Sequence, residues 1–235
     1  MLPFIWHALC DVLFPPRCLG CDRRIHAGDV LCVRCMGEMH PLPLSAEQSL
    51  RNIASLQCAC DATMMYVGYE YEEDGVIEQC IHALKYRRMH SVGIWLGRLL
   101  GERLRSTPLL SDDPVLLPVP LHRIRQVERG YNQSACICDG LQRECGCAIL
   151  PALLRRPRYT RSQSAARLGI DDRQQNVRDA FAVDPRSLDV LGQRPVILLD
   201  DVVTTGATMS SCVALLNRHG VRDVRMLAVA RPPRH

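Results

Sequence analysis

The sequence predicts an α/β fold: a mainly parallel sheet covered by helices on both faces, with a small metal-stapled segment ahead of it. Three observations lead there. Short apolar runs at Val115–Leu117, Val196–Leu199 and Val224–Ala230 read as strands buried on both faces. Runs with helical spacing separate them, and strands that alternate with helices build parallel sheets. Finally, two Cys-x-x-Cys pairs stand in a stretch too poor in apolar residues to fold by itself.

A chain of 235 residues supports one substantial core and a small appendage, and 47% apolar content is ordinary for a globular protein. The net charge of +4 is mild and does not by itself argue for nucleic acid. Lys85 is the only lysine, so almost every cation is an arginine, the side chain suited to forked anion contacts. Thirteen cysteines scattered through strand-like and helix-like runs are not a disulfide scaffold; metal ligands and buried thiols fit a reducing compartment. Met1–Leu9 lacks the basic start and small-residue cleavage site of a signal peptide, and no run reaches the roughly 18 apolar residues of a membrane span. A cytoplasmic protein without membrane insertion is expected.

In chain order, residues 1–16 read as a short amphipathic helix stopped by Pro15-Pro16. Cys18-x-x-Cys21 and Cys32-x-x-Cys35 follow, ten residues apart. Each pair sets two sulfurs on one tight knuckle, and two knuckles complete the tetrahedron of a structural zinc site. With so few apolar residues, the metal supplies most of the segment's stability. Pro41–Ser55 reads as a linker, which sets expected domains at 1–45 and 60–235. Cys58 and Cys60 read as buried or surface thiols, since no second pair completes another knuckle. Thr63–Tyr71 is a strand, and helical spacing covers Ile77–Leu84 and Ile94–Leu104. Between these helices Lys85 heads a basic cluster, which is either a solvated face or an anion contact. Val115–Pro120 is a strand, followed by a loop dense in His and Arg (Leu121, His122, Arg123, Arg125, Arg129) and a helix from Ser134 to Glu144 stopped by Gly146. Ala148–Leu154 reads as a strand, Arg155–Gln163 as a basic flap or arm, Ala165–Arg178 as partly helical, Phe181–Val183 as a short strand and Pro185–Arg194 as loop.

The stretch Val196–Thr208 carries the chemistry. An apolar strand ends in Asp200 and Asp201, then Val202 and Val203, a turn of Thr204, Thr205 and Gly206, and a helix beginning near Ala207 and Thr208. A helix start offers unpaired N–H groups and a positive dipole end, which suit a phosphate. The threonine hydroxyls add donors, and Gly206 lets the backbone approach closely. Two carboxylates one turn away suit a vicinal diol. A ribose 5-phosphate presents both groups. The strand, cationic loop and helix start around 115–134 form a second anion site by the same physics.

The string Val196–Thr208 resembles the phosphoribosyl pyrophosphate signature of type I phosphoribosyltransferases. With the four-cysteine ribbon, Pro118–Arg123, Arg129-Gly-Tyr-Asn-Gln133, Arg161-Ser-Gln163 and Arg173–Val177, nearly the whole chain resembles the ComF family of competence proteins, in the branch that includes the GntX-like proteins. Tyr131 stands where phenylalanine is common, and a second metal knuckle is missing. The resemblance implies a type I phosphoribosyltransferase fold, zinc binding and a link to DNA uptake. It implies that Asp200 and Asp201 hold the ribose hydroxyls, that Thr204–Thr208 cradle the 5-phosphate with Val202 among the ligand contacts, and that Pro120, Leu121, His122 and Arg123 meet pyrophosphate. The segment containing Arg161 and Gln163 then closes as a flap, Lys85 joins the ligand contacts, and Arg123, Arg125 and Arg129 stabilise departing pyrophosphate with Mg2+. The runner-up is a non-catalytic module that senses a nucleotide or contacts single-stranded DNA or a DNA-uptake helicase.

Overall fold

The computed structural model describes residues 15–57, 60–157 and 180–233. Residues 1–14 of the expected helix at 1–16, Cys58, and the flap residues Arg161 and Gln163 lie outside the described residues. The elements are α1 (Val33–Gly37), β1 (His40–Pro41), α2 (Ala46–Ala54), β2 (Met64–Glu70), α3 (Val76–Tyr86), α4 (His90–Leu104), β3 (Val115–Pro118), α5 (Arg123–Arg129), α6 (Gln133–Cys145), β4 (Leu154–Arg155), β5 (Ala182–Val183), α7 (Pro185–Leu191), β6 (Val196–Val202), α8 (Ala207–Arg218) and β7 (Val224–Arg231).

The main sheet has the order β1-β2-β7-β6-β3. β2, β7, β6 and β3 run parallel, and only the edge strand β1 is antiparallel. Alternate residues of each strand feed two cores, as the pleat demands. Tyr66, Leu116, Ile197, Leu199 and Leu227 point to the side of α3, α4 and α6. Met65, Leu117, Val196, Leu198 and Met226 point to the side of α7 and α8. The mixed α/β fold with a mostly parallel sheet is therefore as expected. On the first face α4 and α6 approach so closely that a Cβ on Gly97 would overlap the Ile137 carbonyl and one on Gly140 the Ile94 carbonyl. The cysteine ribbon shares this core: Cys18, Leu31 and Cys35 are buried in one cluster with Tyr66, Ile77 and Cys80.

Four local expectations are corrected. The segment 41–55 is not a plain linker; it contains α2, whose N-cap Ser45 accepts from the Gln48 N–H at 3.1 Å. The buried face of α2 is polar. Ser49 Oγ accepts from Met65 N–H (2.9 Å) and Asn52 Nδ2 donates to Met65 O (3.0 Å), so an apolar count misses the helix. The cationic stretch after β3 is not all loop, because His122 Nδ1 accepts from Ile124 N–H at 3.2 Å and starts α5, which Gly130 ends at φ +84°. Ala148–Leu154 is not a full strand. Ala148 and Leu150 bond Leu116 around a single parallel bridge at Ile149, Pro151 has no N–H to continue, and only Leu154 joins β4. Finally, Pro185–Leu191 is a helix with its proline in the first turn.

Candidate functional site

The carboxyl ends of the parallel strands carry the site. β6 runs through Asp200 and Asp201 before the chain turns at Thr204 and Thr205, both exposed. Gly206 then starts α8 with φ +79°, in the left-handed region, and a Cβ there would also overlap Leu56. Both facts demand glycine. Because the N-cap residue is a glycine, α8 has no side-chain cap of its own; Thr205 Oγ1 accepts from Ala207 N–H at a long 3.4 Å. Thr208 follows, half-buried, in the first turn. The Thr205 carbonyl accepts from Gln57 N–H at 3.1 Å, which ties the turn to the loop after α2.

The two aspartates have different surroundings. Asp200 Oδ1 accepts from Ser134 Oγ (3.0 Å) and from Asp201 N–H (2.9 Å). Desolvation and the adjacent Asp201 charge push its carboxyl up from 3.8 to about 7, against the pull of those hydrogen bonds and of Lys85. Asp201 Oδ2 pairs with Lys85 Nζ at 3.1 Å, in the last turn of α3. The sole lysine is thus brought to the acidic pair and balances one of its two charges.

The motif Arg129–Gln133 wires this corner. Asn132 caps α6: its Oδ1 accepts from Ser134 N–H (3.1 Å) and its Nδ2 donates to Val119 O (3.0 Å). Tyr131 OH donates to Leu84 O, one residue before Lys85. These bonds set Ser134 against Asp200 and Lys85 against Asp201. Arg129 donates to Gln133 Oε1 at 2.9 Å and stands 5.8 Å from the Tyr86 ring, so its fork is engaged on the loop itself.

Beside the acidic pair, at the end of neighbouring β3, lies a cavity of about 580 Å³ lined by Pro120, Leu121, Arg123, Asn132, Arg155 and Arg156, among others. Three arginines thus converge on the loop expected to meet an anion, while His122, expected there too, spends Nδ1 on capping α5. Every peptide bond here is trans. Arg156 also stacks 5.1 Å from Phe181. Ser134 and Leu56 are contributors that no motif contained, and Asn132 lay inside the Arg129–Gln133 motif without an assigned role.

The four ribbon cysteines converge as predicted, with all four sulfurs within 4.8 Å of one another and Cys21 Sγ 3.6 Å from Cys32 Sγ. A tetrahedron with Zn–S bonds of about 2.3 Å needs sulfurs roughly 3.8 Å apart, so the residues fit zinc. Burial raises the Cys18 thiol, but the N–H groups of Cys32, Gly20 and Cys21 outweigh it and bring it to about 6, which favours a thiolate ligand. Four protein ligands leave no open position, so the zinc is structural.

A family model described as "Double zinc ribbon domain" matches residues 9–81. That span includes Cys10, Cys58 and Cys60 besides the four-sulfur cluster. Competence protein F of Haemophilus influenzae is 28% identical over 228 residues, covering 92% of this chain and 96% of that protein. DNA utilization protein YhgH of Salmonella typhimurium is 36% identical over 157 residues, 64% of this chain and 65% of that protein. The Escherichia coli K12 YhgH is 35% identical over the same length. The ComF resemblance read from the motifs is thus matched along nearly the whole chain. Among solved structures, a Staphylococcus aureus hypoxanthine phosphoribosyltransferase aligns with a TM-score of 0.36 and 15% identity, covering 60% of this chain and 64% of that one. That likeness is too slight to bear weight. No helix among the described residues is long and apolar enough to cross a membrane.

Proposed function

We infer, from a chain that is a relative of competence protein F, a phosphoribosyltransferase-like protein that binds phosphoribosyl pyrophosphate or a related ribose phosphate in the service of DNA uptake. One arrangement carries the reading: an acidic pair and a helix start without a side-chain cap at the end of β6, next to an arginine-lined cavity at the end of β3. In this reading the ribose diol meets Asp200 and Asp201. The 5-phosphate takes the N–H groups and hydroxyls of Thr204–Thr208. The pyrophosphate fills the cavity against Arg123, Arg155 and Arg156.

The reaction asks little covalent chemistry of the protein. A nucleophilic nitrogen of an acceptor bonds to C1 as the C1–O bond to pyrophosphate breaks. The arginines stabilise the leaving charge, and the pair fixes the ring by its hydroxyls. Asp200, titrating near neutrality, can accept from or donate to a ribose hydroxyl, and Ser134 holds it in place. Arg129 acts by fixing the loop through Gln133. Mg2+, where bound with the ligand, would neutralise part of the pyrophosphate charge, with Asp200 and Asp201 the carboxylates assigned to this corner. Arg161 and Gln163 retain their proposed role in closing over the ligand.

Calorimetric titration with phosphoribosyl pyrophosphate, with and without Mg2+, tests the reading. Binding that survives Asp200→Asn combined with Asp201→Asn refutes it. Pyrophosphate release in a screen of nitrogenous acceptors then decides between enzyme and sensor.

A second reading, a module that contacts single-stranded DNA or a DNA-handling helicase, is favoured by one surface. Tyr86 is 65% exposed, follows Lys85 and precedes the exposed Arg87 and Arg88, with Arg129 alongside. An exposed ring among arginines suits stacked bases and phosphates. Binding of an oligonucleotide that is absent even at low salt, or that salt does not weaken, removes it.

A further inference from the structure

Away from the ribbon and the ribose-phosphate corner, a second pair of thiols stands together at the far end of α6. The helix ends at Cys145, Gly146 caps it at φ +72° and ψ 0°, and Cys147 follows. The turn is fixed on both sides: Gly146 N–H donates to Gln142 O at 2.7 Å, and Gln142 Nε2 donates to Cys147 O at 3.1 Å. A middle residue in this left-handed bend folds the chain back. That sets the two flanking cysteines on one tight turn. A Cβ on Gly146 would meet nothing within 4 Å, so the outer side of the turn is open to an approaching reagent. Cys145 is half-buried, and Cys147 is 6% exposed.

The pair differs from four other buried cysteines of the α/β region. Cys80, Cys136, Cys138 and Cys212 are buried, and burial holds their thiols above the ordinary value, which makes them inert. At Cys145 the neighbouring Cys147 thiol leads, burial opposes it, and the N–H groups of Cys147 and Cys145 assist; together they bring it from 9.0 to about 7. The same neighbour, with burial, raises Cys147. Glu144 opposes the Cys145 thiolate, but its carboxylate is spent on Arg98 (3.0 Å) and Arg105 (2.7 Å). Asp113 and Arg194 are the charged groups facing Cys147, with opposite effects. One sulfur is thus set to attack and its neighbour to resolve.

We propose that Cys145 and Cys147 form a reversible thiol–disulfide exchange site whose oxidant is a low-molecular-weight disulfide. The Cys145 thiolate attacks one sulfur of that disulfide; a mixed disulfide forms, and the first small thiolate leaves with the proton Cys145 had released. The Cys147 sulfur then attacks Cys145 Sγ, its proton passing to the second departing small thiolate. The balance is two protein thiols oxidised to one disulfide and one small disulfide reduced to two thiols. The site is independent of the ribose-phosphate reading.

The test uses the full-length, zinc-loaded protein in glutathione buffers of graded oxidised-to-reduced ratio. It is quenched by alkylation in denaturant and digested with trypsin. The peptide from Glu144 to Arg155 contains only these two cysteines. It should shift from doubly alkylated to a form with no alkyl group and two hydrogens fewer. That shift should come at ratios that leave zinc bound and the Cys80 and Cys212 peptides alkylated, and dithiothreitol should reverse it. In the native protein near neutral pH, Cys145 should alkylate roughly threefold faster than an ordinary thiol. Cys147→Ser should trap glutathione on Cys145, and Cys145→Ser should carry none. A wild-type peptide that keeps both alkyl groups at every ratio short of zinc loss overturns the proposal. So does a Cys147→Ser protein with no glutathione on Cys145.

Discussion

Replacing Asp200 with asparagine separates the cost of a charge from the shape of the site. The amide keeps an oxygen to accept from Ser134 Oγ and Asp201 N–H, but it does not titrate. In the wild type, desolvation and the Asp201 charge lift the carboxyl from 3.8 to about 7. A carboxyl raised by folding favours the neutral form. The folded protein therefore loses stability as pH climbs between those two values, and loses no more above the second. A range from about pH 5.5 to about pH 8.5 keeps clear of acid release of thiolate-bound metal. Across it, the linkage is worth about 2 kcal/mol before discount. Asp200 keeps some exposure to water, which trims the effect to about 1–2 kcal/mol. The Tm of Asp200→Asn relative to wild type should therefore rise by roughly 2–8 °C across that range. Thermal melts of both proteins in buffers of matched ionic strength measure it. A gap that stays constant, or shrinks as pH rises, refutes the picture of Asp200 as a carboxyl held neutral by its surroundings.

Lys85→Met should cost about 1–3 kcal/mol in denaturant melts, because it strands Asp201 beside Asp200; adding Asp201→Asn should recover most of the loss, and no recovery would break the pairing. Gly206→Ala should lose about 1–3 kcal/mol through its positive φ and the overlap with Leu56, and Leu56→Ala should relieve only the second part. An alanine tolerated at Gly206 without loss contradicts the turn geometry. Cys35→Ser should remove one zinc ion per chain by elemental analysis, and an unchanged metal content would rule out the four-thiolate cluster.

Much of this was legible from local pattern. The strand–acid–turn–helix unit spans β6 and α8 in one unbroken stretch, and the two cysteine knuckles announce a tetrahedron by spacing alone. What escaped were contacts between distant residues and elements whose faces are not apolar. Ser134 and Asp200 are separated by 66 positions, and nothing near either residue announces their hydrogen bond. Helix α2 was hidden because it docks through Ser49 and Asn52 on the Met65 backbone rather than through an apolar stripe. Helices α5 and α7 have only seven residues each, too few for a period to stand out, and the polar composition of α7 looks like loop. In the other direction, Ala148–Leu154 has the composition of a strand, but Pro151 denies it the ladder after one bridge.

The ribbon's buried residues have a practical consequence. Leu31, Cys18 and Cys35 roof the apolar face of α3 around Ile77 and Cys80, while β1 covers the outer edge of β2. Trimming the chain back to the sheet domain would uncover both a greasy surface and an open strand edge, the two commonest invitations to aggregate. Metal starvation and poor solubility should therefore arrive together in cells making this protein.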